Sequence, residues 1–203
     1  MRFDILINKD NLIDENFMPD NMVNVEPKIK GSVDPNRKIL LVKEAYDKFL
    51  QLQKDALRCG INLHISSGHR SYEYQQKVFD HYVESIGIEE TKKRVALPGS
   101  SDHHSGLALD YFSFRKNEDG SIYPYSDIKE SDIEFRWIEE NCYKYGFIIR
   151  YPKGKENITN VMFEPWHIRY VGLELATKLS NESKTLEEYY IQKVKKLRSN
   201  YYE

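Results

Sequence analysis

The sequence predicts an α+β fold, a small and mostly antiparallel sheet with helices packed on one of its faces. Three observations carry that reading. Segments 61–66 and 106–112 alternate apolar residues with small or polar ones, the period of a half-buried strand. Segments 36–59, 132–145 and 185–197 repeat their apolar residues at helical spacing. At 203 residues the chain can bury a substantial core, and nothing in it repeats, so a single domain is expected.

Residues 1–35, with Pro19, Pro27, Gly31 and Pro35, read as an extended arm that belongs to the same domain as the body, 36–203. In 36–59, Ile39, Leu40, Val42, Ala45, Tyr46, Phe49, Leu50, Leu52, Ala56 and Leu57 fit one long core helix stopped by Gly60. Ile61, Leu63 and Ile65 then point inward from a strand while His64 points outward. Residues 67–71 make a turn, and Ser71 caps a helix running from 72 to about 83. A short charged helix at 88–95 and a loop at 96–100 lead into the strand at 106–112. The polar stretch 113–131, with an aromatic island at 122–125, reads as a loop able to select substrate. The helix at 132–145 buries Ile133, Trp137, Ile138 and Cys142 and stops at Gly146. A strand at 147–151, a turn at 152–156 and a strand at 166–171 follow, then helices at 173–179 and 185–197. Thr185 and Glu188 form a capping box on the last helix, and the terminal tyrosines fray.

Thirty Lys and Arg against 32 Asp and Glu give a net charge of -2, which argues against a nucleic-acid-binding surface or a polybasic membrane anchor. The apolar run in residues 1–9 is broken by Asp4 and is too short for a leader or a membrane span, so a cytoplasmic protein is expected, with a secreted or membrane-anchored protein whose leader has been removed as the alternative. Cys59 and Cys142 fall in amphipathic segments and suit buried thiols; neither has the spacing of a zinc knuckle. No obligate protein partner is expected.

The chemistry concentrates in SDHHSGLALD at 101–110 and EPWH at 164–167. In the strand, Leu107, Leu109 and Tyr111 share one face, so Asp110 projects from the other over Gly106 and Ala108, with room for an ion and a substrate. His103 can fold back towards Asp110, and His167 supplies a third ligand. Two imidazoles and a carboxylate with a fourth position open are the ligand set of a catalytic zinc. The metal site therefore belongs on the sheet face opposite the helices. Glu164 is left over as a general base. Arg70, at a strand-to-helix corner with Gln75 a turn and a half later, is placed to meet an anionic or carbonyl group. His69 and His81 have no role.

Four segments together carry a resemblance: SSGHRSYEYQ at 66–75, LPGSSDHHSGLALD at 97–110, YGFIIRYPKGK at 145–155 and EPWHIRYVG at 164–172. In this order they resemble the VanY-type D-alanyl-D-alanine carboxypeptidases, zinc peptidases with S-x-H-x-x-G-x-A-x-D and E-x-W-H motifs, and most of all the cytoplasmic VanXY branch. The resemblance implies zinc on His103, Asp110 and His167, a catalytic base at Glu164 and a substrate-binding arginine at Arg70. It also implies that Ser101 and Gln75 hold the substrate's terminal carboxylate. The substrate would be a peptidoglycan stem peptide or the D-Ala-D-Ala dipeptide, and the setting cell-wall metabolism and glycopeptide resistance. Two positions depart from the family pattern: Asp102 stands for the usual Glu, and His104 for the usual Gln or Thr. The segment around Arg70 also resembles L,D-carboxypeptidases that act on tetrapeptide stems. A phage-type endopeptidase cutting L-Ala-D-Glu bonds and a non-catalytic peptidoglycan-binding module are the remaining alternatives.

Overall fold

The computed structural model describes residues 2–25 and 38–201; Pro27, Gly31, Pro35 and Tyr202 lie outside the described residues. The arm contributes strand β1 (Met22–Asn24), which pairs antiparallel with β2 (Leu40–Val42). The expected long helix therefore begins only at α1 (Lys43–Arg58). Ile39 to Val42 read as helix because a short apolar run does not reveal its period, and the strand that pairs with it lies far back in the chain. Within α1 the buried stripe is Ala45, Phe49, Leu52 and Ala56, whereas Leu50 and Leu57 are exposed. Cys59, just past the helix end, is exposed rather than buried.

The central sheet has the order β3-β4-β7-β6 and is antiparallel throughout. Its elements arrive as β3 (Leu63–Ser67), α2 (Tyr72–Ile86), α3 (Ile88–Arg94), β4 (Ala108–Lys116), β5 (Ile122–Tyr125), α4 (Ile133–Asn141), β6 (Phe147–Ile149), the one-turn α5 (Glu156–Thr159), and β7 (His167–Tyr170). Helices α6 (Leu173–Glu182) and α7 (Leu186–Tyr201) close the chain. The polar stretch expected as a loop after Asp110 is instead a hairpin: β4 runs on to Lys116 and β5 pairs back with it. Ser113 faces Leu63 on one side and Tyr125 on the other, so β5 extends the sheet on the β7 side.

Leu107, Leu109 and Tyr111 turn into the main core with Phe49, Leu52, Ile138, Phe147 and Ile168, as the alternation predicts. Helix α4 buries Glu134, Phe135 and Ile138, while Ile133 is exposed. Glu134 is tolerated there because Arg115 of β4 pairs with it through two nitrogens at 3.1 and 2.7 Å. A smaller cluster joins Ile148, Val171, Ala176, Leu179 and Leu186 with Leu6 of the arm, so both chain ends are packed against β6. Ser71 accepts from the Tyr74 amide, and Thr185 and Glu188 cap α7 reciprocally, as expected. Among the described residues no helix is long and apolar enough to cross a membrane.

Candidate metal centre

Strand register brings the first two ligand candidates together. Asp110 of β4 lies directly opposite His167 of β7, a separation of about 5 Å between Cβ atoms. On its other side Asp110 faces Ser67, across an irregularity where β3 slips one residue between Ile65 and Ser67. That bulge turns the end of β3 inward, a common device beside functional sites. Ser66 donates to the Asp110 carbonyl (3.1 Å), and the next carbonyl but one, of Gly68, accepts from His103 Nδ1 (2.8 Å). Gly68 is required here: a Cβ would stand 2.4 Å from the Leu40 carbonyl oxygen.

His103 comes from a short 3-10 turn, Asp102–Ser105, that ends on Gly106 in the left-handed region (φ +65°). With Nδ1 donating to Gly68, its Nε2 lone pair is left aimed at Asp110 Oδ2, 3.4 Å away. His167 presents Nδ1 to Asp110 Oδ1 at 3.0 Å. The ligand atoms of His103, Asp110 and His167 all lie within 4.8 Å of one another. Ligands of a tetrahedral zinc, bonded at about 2.0–2.2 Å, stand about 3.4 Å apart. The donor set and its spacing therefore fit zinc after a small contraction. His104 is not available as a ligand: its Nε2 accepts from the Gly99 amide (3.1 Å), so its Nδ1 donates to the Arg70 carbonyl (2.7 Å).

The electrostatics treat the two imidazoles differently. Burial pushes the His103 imidazole down to about 4, with the Arg70 charge adding to it, which keeps the ring neutral as a ligand must be. Burial opposes charge on Asp110, yet His103 and His167 hold its carboxyl well below the usual range. Burial also opposes charge on His167, but Asp102 and Asp110 outweigh it and raise the ring to about 9, so a metal bound there displaces a proton from Nδ1. Glu164 has Oε2 3.5 Å from His167 Nδ1, and burial pushes its carboxyl up to about 7.

Arg70 reaches over this cluster: Nη2 donates to Asp110 Oδ2 (3.1 Å) and to Ser67 Oγ (3.3 Å), and Nη1 approaches Gln75 Oε1 (3.5 Å). Gln75 is fixed in turn by its amide donating to the Ala96 carbonyl (2.7 Å). Glu73 and Asp80 pair with other side chains, so Arg70 is not held in a surface ion pair. Arg70, Gln75, Ser101, His103, Asp110, Glu164 and His167 all line one open cavity of about 590 Å³. Every residue singled out from the sequence is thus brought to one place. Three further residues at the site were quoted in the motifs without a role. Asp102, Arg150 and Arg169 are fully buried behind His167, and only their spatial neighbourhood reveals them.

Residues 38–173 match the model of the family described as VanY, D-alanyl-D-alanine carboxypeptidase. A putative carboxypeptidase, YodJ of Bacillus subtilis, is 39% identical over 95% of this chain and 68% of its own length. Among solved structures, the LdcB LD-carboxypeptidase is similar at TM-score 0.76 and 37% identity, covering 91% of this chain and 84% of that one. A Zn(II) complex of the D,D-pentapeptidase VanY from a VanB-type resistance cassette, solved as a point mutant, is similar at TM-score 0.74 and 29% identity, covering 93% and 98%. The chain spans 92% of the bifunctional dipeptidase and carboxypeptidase VanXYC of Enterococcus gallinarum (32% identity), but about half of two enterococcal D-alanyl-D-alanine carboxypeptidases. With a matched segment that includes all seven cavity residues expected from the sequence, the chain belongs to the VanY family of D-alanyl-D-alanine carboxypeptidases.

Proposed function

We propose that this chain is a zinc-dependent D,D-carboxypeptidase that removes the terminal D-residue from D-Ala-D-Ala-ended peptidoglycan precursors and also splits the free dipeptide. The observation that carries the reading is the convergence of His103, Asp110 and His167, with Glu164 beside them, at the floor of one cavity. His103 Nε2, an Asp110 carboxylate oxygen and His167 Nδ1 would hold the zinc. Zinc bound there supplies a Lewis acid that brings the pKa of a water to about 7.

The chain's own groups do the rest. Glu164, buried and close to the ligands, takes a proton from the attacking water and returns it to the leaving amine. Arg70 aims a guanidinium into the cavity, suited to the negative charge that develops on the scissile carbonyl oxygen. Gln75, expected from the resemblance to hold the substrate's carboxylate, has its amide engaged by Arg70 and Ala96 and in this proposal serves the substrate by fixing that guanidinium. Ser101 holds the carboxylate of the terminal residue, which restricts cleavage to one residue from an end. Residues 36–203 and the arm act as one catalytic domain. Cys59 and Cys142 are both free thiols, which supports the cytoplasm as the site of action and soluble precursors as the substrates.

A second reading, an L,D-carboxypeptidase acting on tetrapeptide stems, is favoured by the similarity to LdcB. One experiment separates the two. Purified protein is given D-Ala-D-Ala, a stem pentapeptide and a stem tetrapeptide, with and without chelator, and the products are weighed by mass spectrometry. The proposal requires loss of D-Ala from the dipeptide and the pentapeptide, abolished by chelator. Release from the tetrapeptide alone would establish the second reading instead.

A further inference from the structure

We propose that Asp102, clamped by two buried arginines, is the positioning residue of His167: its Oδ2 accepts the Nε2 proton and so turns Nδ1 towards Asp110 and the cation. The inference rests on the zinc reading above and names the part of the chain that orients one ligand. The Asp102 carboxylate divides its two oxygens between two tasks. Oδ2 lies 3.4 Å from His167 Nε2, on the side of the ring opposite Asp110. Oδ1 is bonded by Arg169 Nη1 and approached by Arg150 Nε at 3.6 Å. All three side chains are fully excluded from solvent.

The charges close among themselves. Arg150 is gripped by Glu187 of α7 through two bonds of 2.9 and 2.6 Å, so two arginines face two carboxylates and the group is neutral as a whole. With Arg169 bonded to its other oxygen, the Asp102 carboxylate is held with Oδ2 towards His167 Nε2. A ligating imidazole held by a carboxylate through its other nitrogen is fixed in tautomer and ring angle.

The clamp also ties the arm and the first turn of α7 to the site. Arg169 Nη2 donates to the carbonyls of Phe3 (3.2 Å) and Ile5 (2.7 Å), and Nε to that of Tyr170 (3.0 Å). Asn8 donates to Glu187 (3.3 Å). The arm and α7 thus hold the arginines, the arginines hold Asp102, and Asp102 holds the ligand.

The test reads metal rather than turnover. Zinc dissociation constants are measured by competition with a fluorescent chelator, and histidine tautomers by long-range nitrogen-proton NMR of the zinc-loaded wild-type chain. The wild type should take up one equivalent, with His167 metallated on Nδ1 and its Nε2 proton retained. Asp102→Asn should weaken zinc by about 10- to 100-fold, the range for partners of metal ligands. That variant leaves Arg169 uncompensated, so Asp102→Asn with Arg169→Met is measured beside it as a charge-balanced pair, and the same weakening is expected in the folded double variant. A folded double variant that binds zinc within twofold of wild type overturns the proposal, as does metal on His167 Nε2 in the wild type. A wild-type chain that takes up no zinc would instead sink the zinc reading itself.

Discussion

Replacing Glu164 by Gln keeps the size and polarity of the side chain and removes its ability to accept a proton. Loss of a general base costs about two to four decades in rate, or roughly 3 to 5 kcal/mol of transition-state stabilisation at about 1.36 kcal/mol per decade. The structure places the upper part of that range within reach, because Glu164 lines the cavity beside the ligands and is left out of the proposed metal set. The assay is release of D-Ala from a stem pentapeptide, with zinc content measured on the same sample. The variant should keep one equivalent of zinc and lose at least about a hundredfold in kcat. The pH profile adds a second reading. Glu164 must be ionised to act, so kcat/KM should fall on the acid side as its carboxyl takes up a proton. Burial, the largest influence on that carboxyl, lifts it to about 7, and a divalent cation beside it favours the ionised form, so the limb should lie below 7 in the zinc enzyme and vanish in the variant. A variant retaining more than a tenth of wild-type kcat would refute the role.

Three other perturbations follow from the packing. Gly68→Ala forces a Cβ to within 2.4 Å of the Leu40 carbonyl, so stability should fall by about 1–3 kcal/mol, and zinc should bind more weakly because the Gly68 carbonyl that holds His103 is displaced. Thermal melts and chelator competition check the two effects separately. Thr185→Ala removes the bond to the Glu188 amide and should cost about 1 kcal/mol, seen as a melting point about 2–4 °C lower with zinc affinity unchanged. Burial pushes the Cys142 thiol up to about 12 while Cys59 is exposed, so iodoacetamide at about pH 8 should give a single adduct on Cys59 by mass spectrometry, and a second only after unfolding.

The active-site half of this molecule was legible in the sequence because its key residues sit at places where period and register decide direction. Asp110 had to oppose Leu109 and Tyr111, and the structure puts those two in the core and Asp110 over the cavity. The pairing of Asp110 with His167 follows once 166–171 is read as a strand beside it. The misread elements have physical reasons. Ile39 to Val42 is apolar on both faces because it lies under the arm, and its partner strand, at Met22, is separated from it by 15 or more residues of chain. Strand β5 hid inside a polar stretch because three of its four residues face solvent, Ile122 among them. Ile133 satisfies the helical spacing of α4, yet the buried stripe runs through Glu134, Phe135 and Ile138, with Glu134 paired to Arg115. Asp102 appeared only as a departure from the family pattern, since the arginines that give it meaning lie 48 and 67 positions further along. No pattern of neighbours in the chain could have joined them.

The central claim is that three side chains from a turn and two strands grip one zinc ion. Anomalous diffraction at the zinc edge, from crystals grown with one equivalent of the metal, tests it most directly. The account predicts a single peak about 2.0–2.2 Å from His103 Nε2, His167 Nδ1 and an Asp110 carboxylate oxygen, with Glu164 outside bonding distance. A peak bonded to His104 or Glu164 in place of any of these three, or no peak in the cavity, would contradict it.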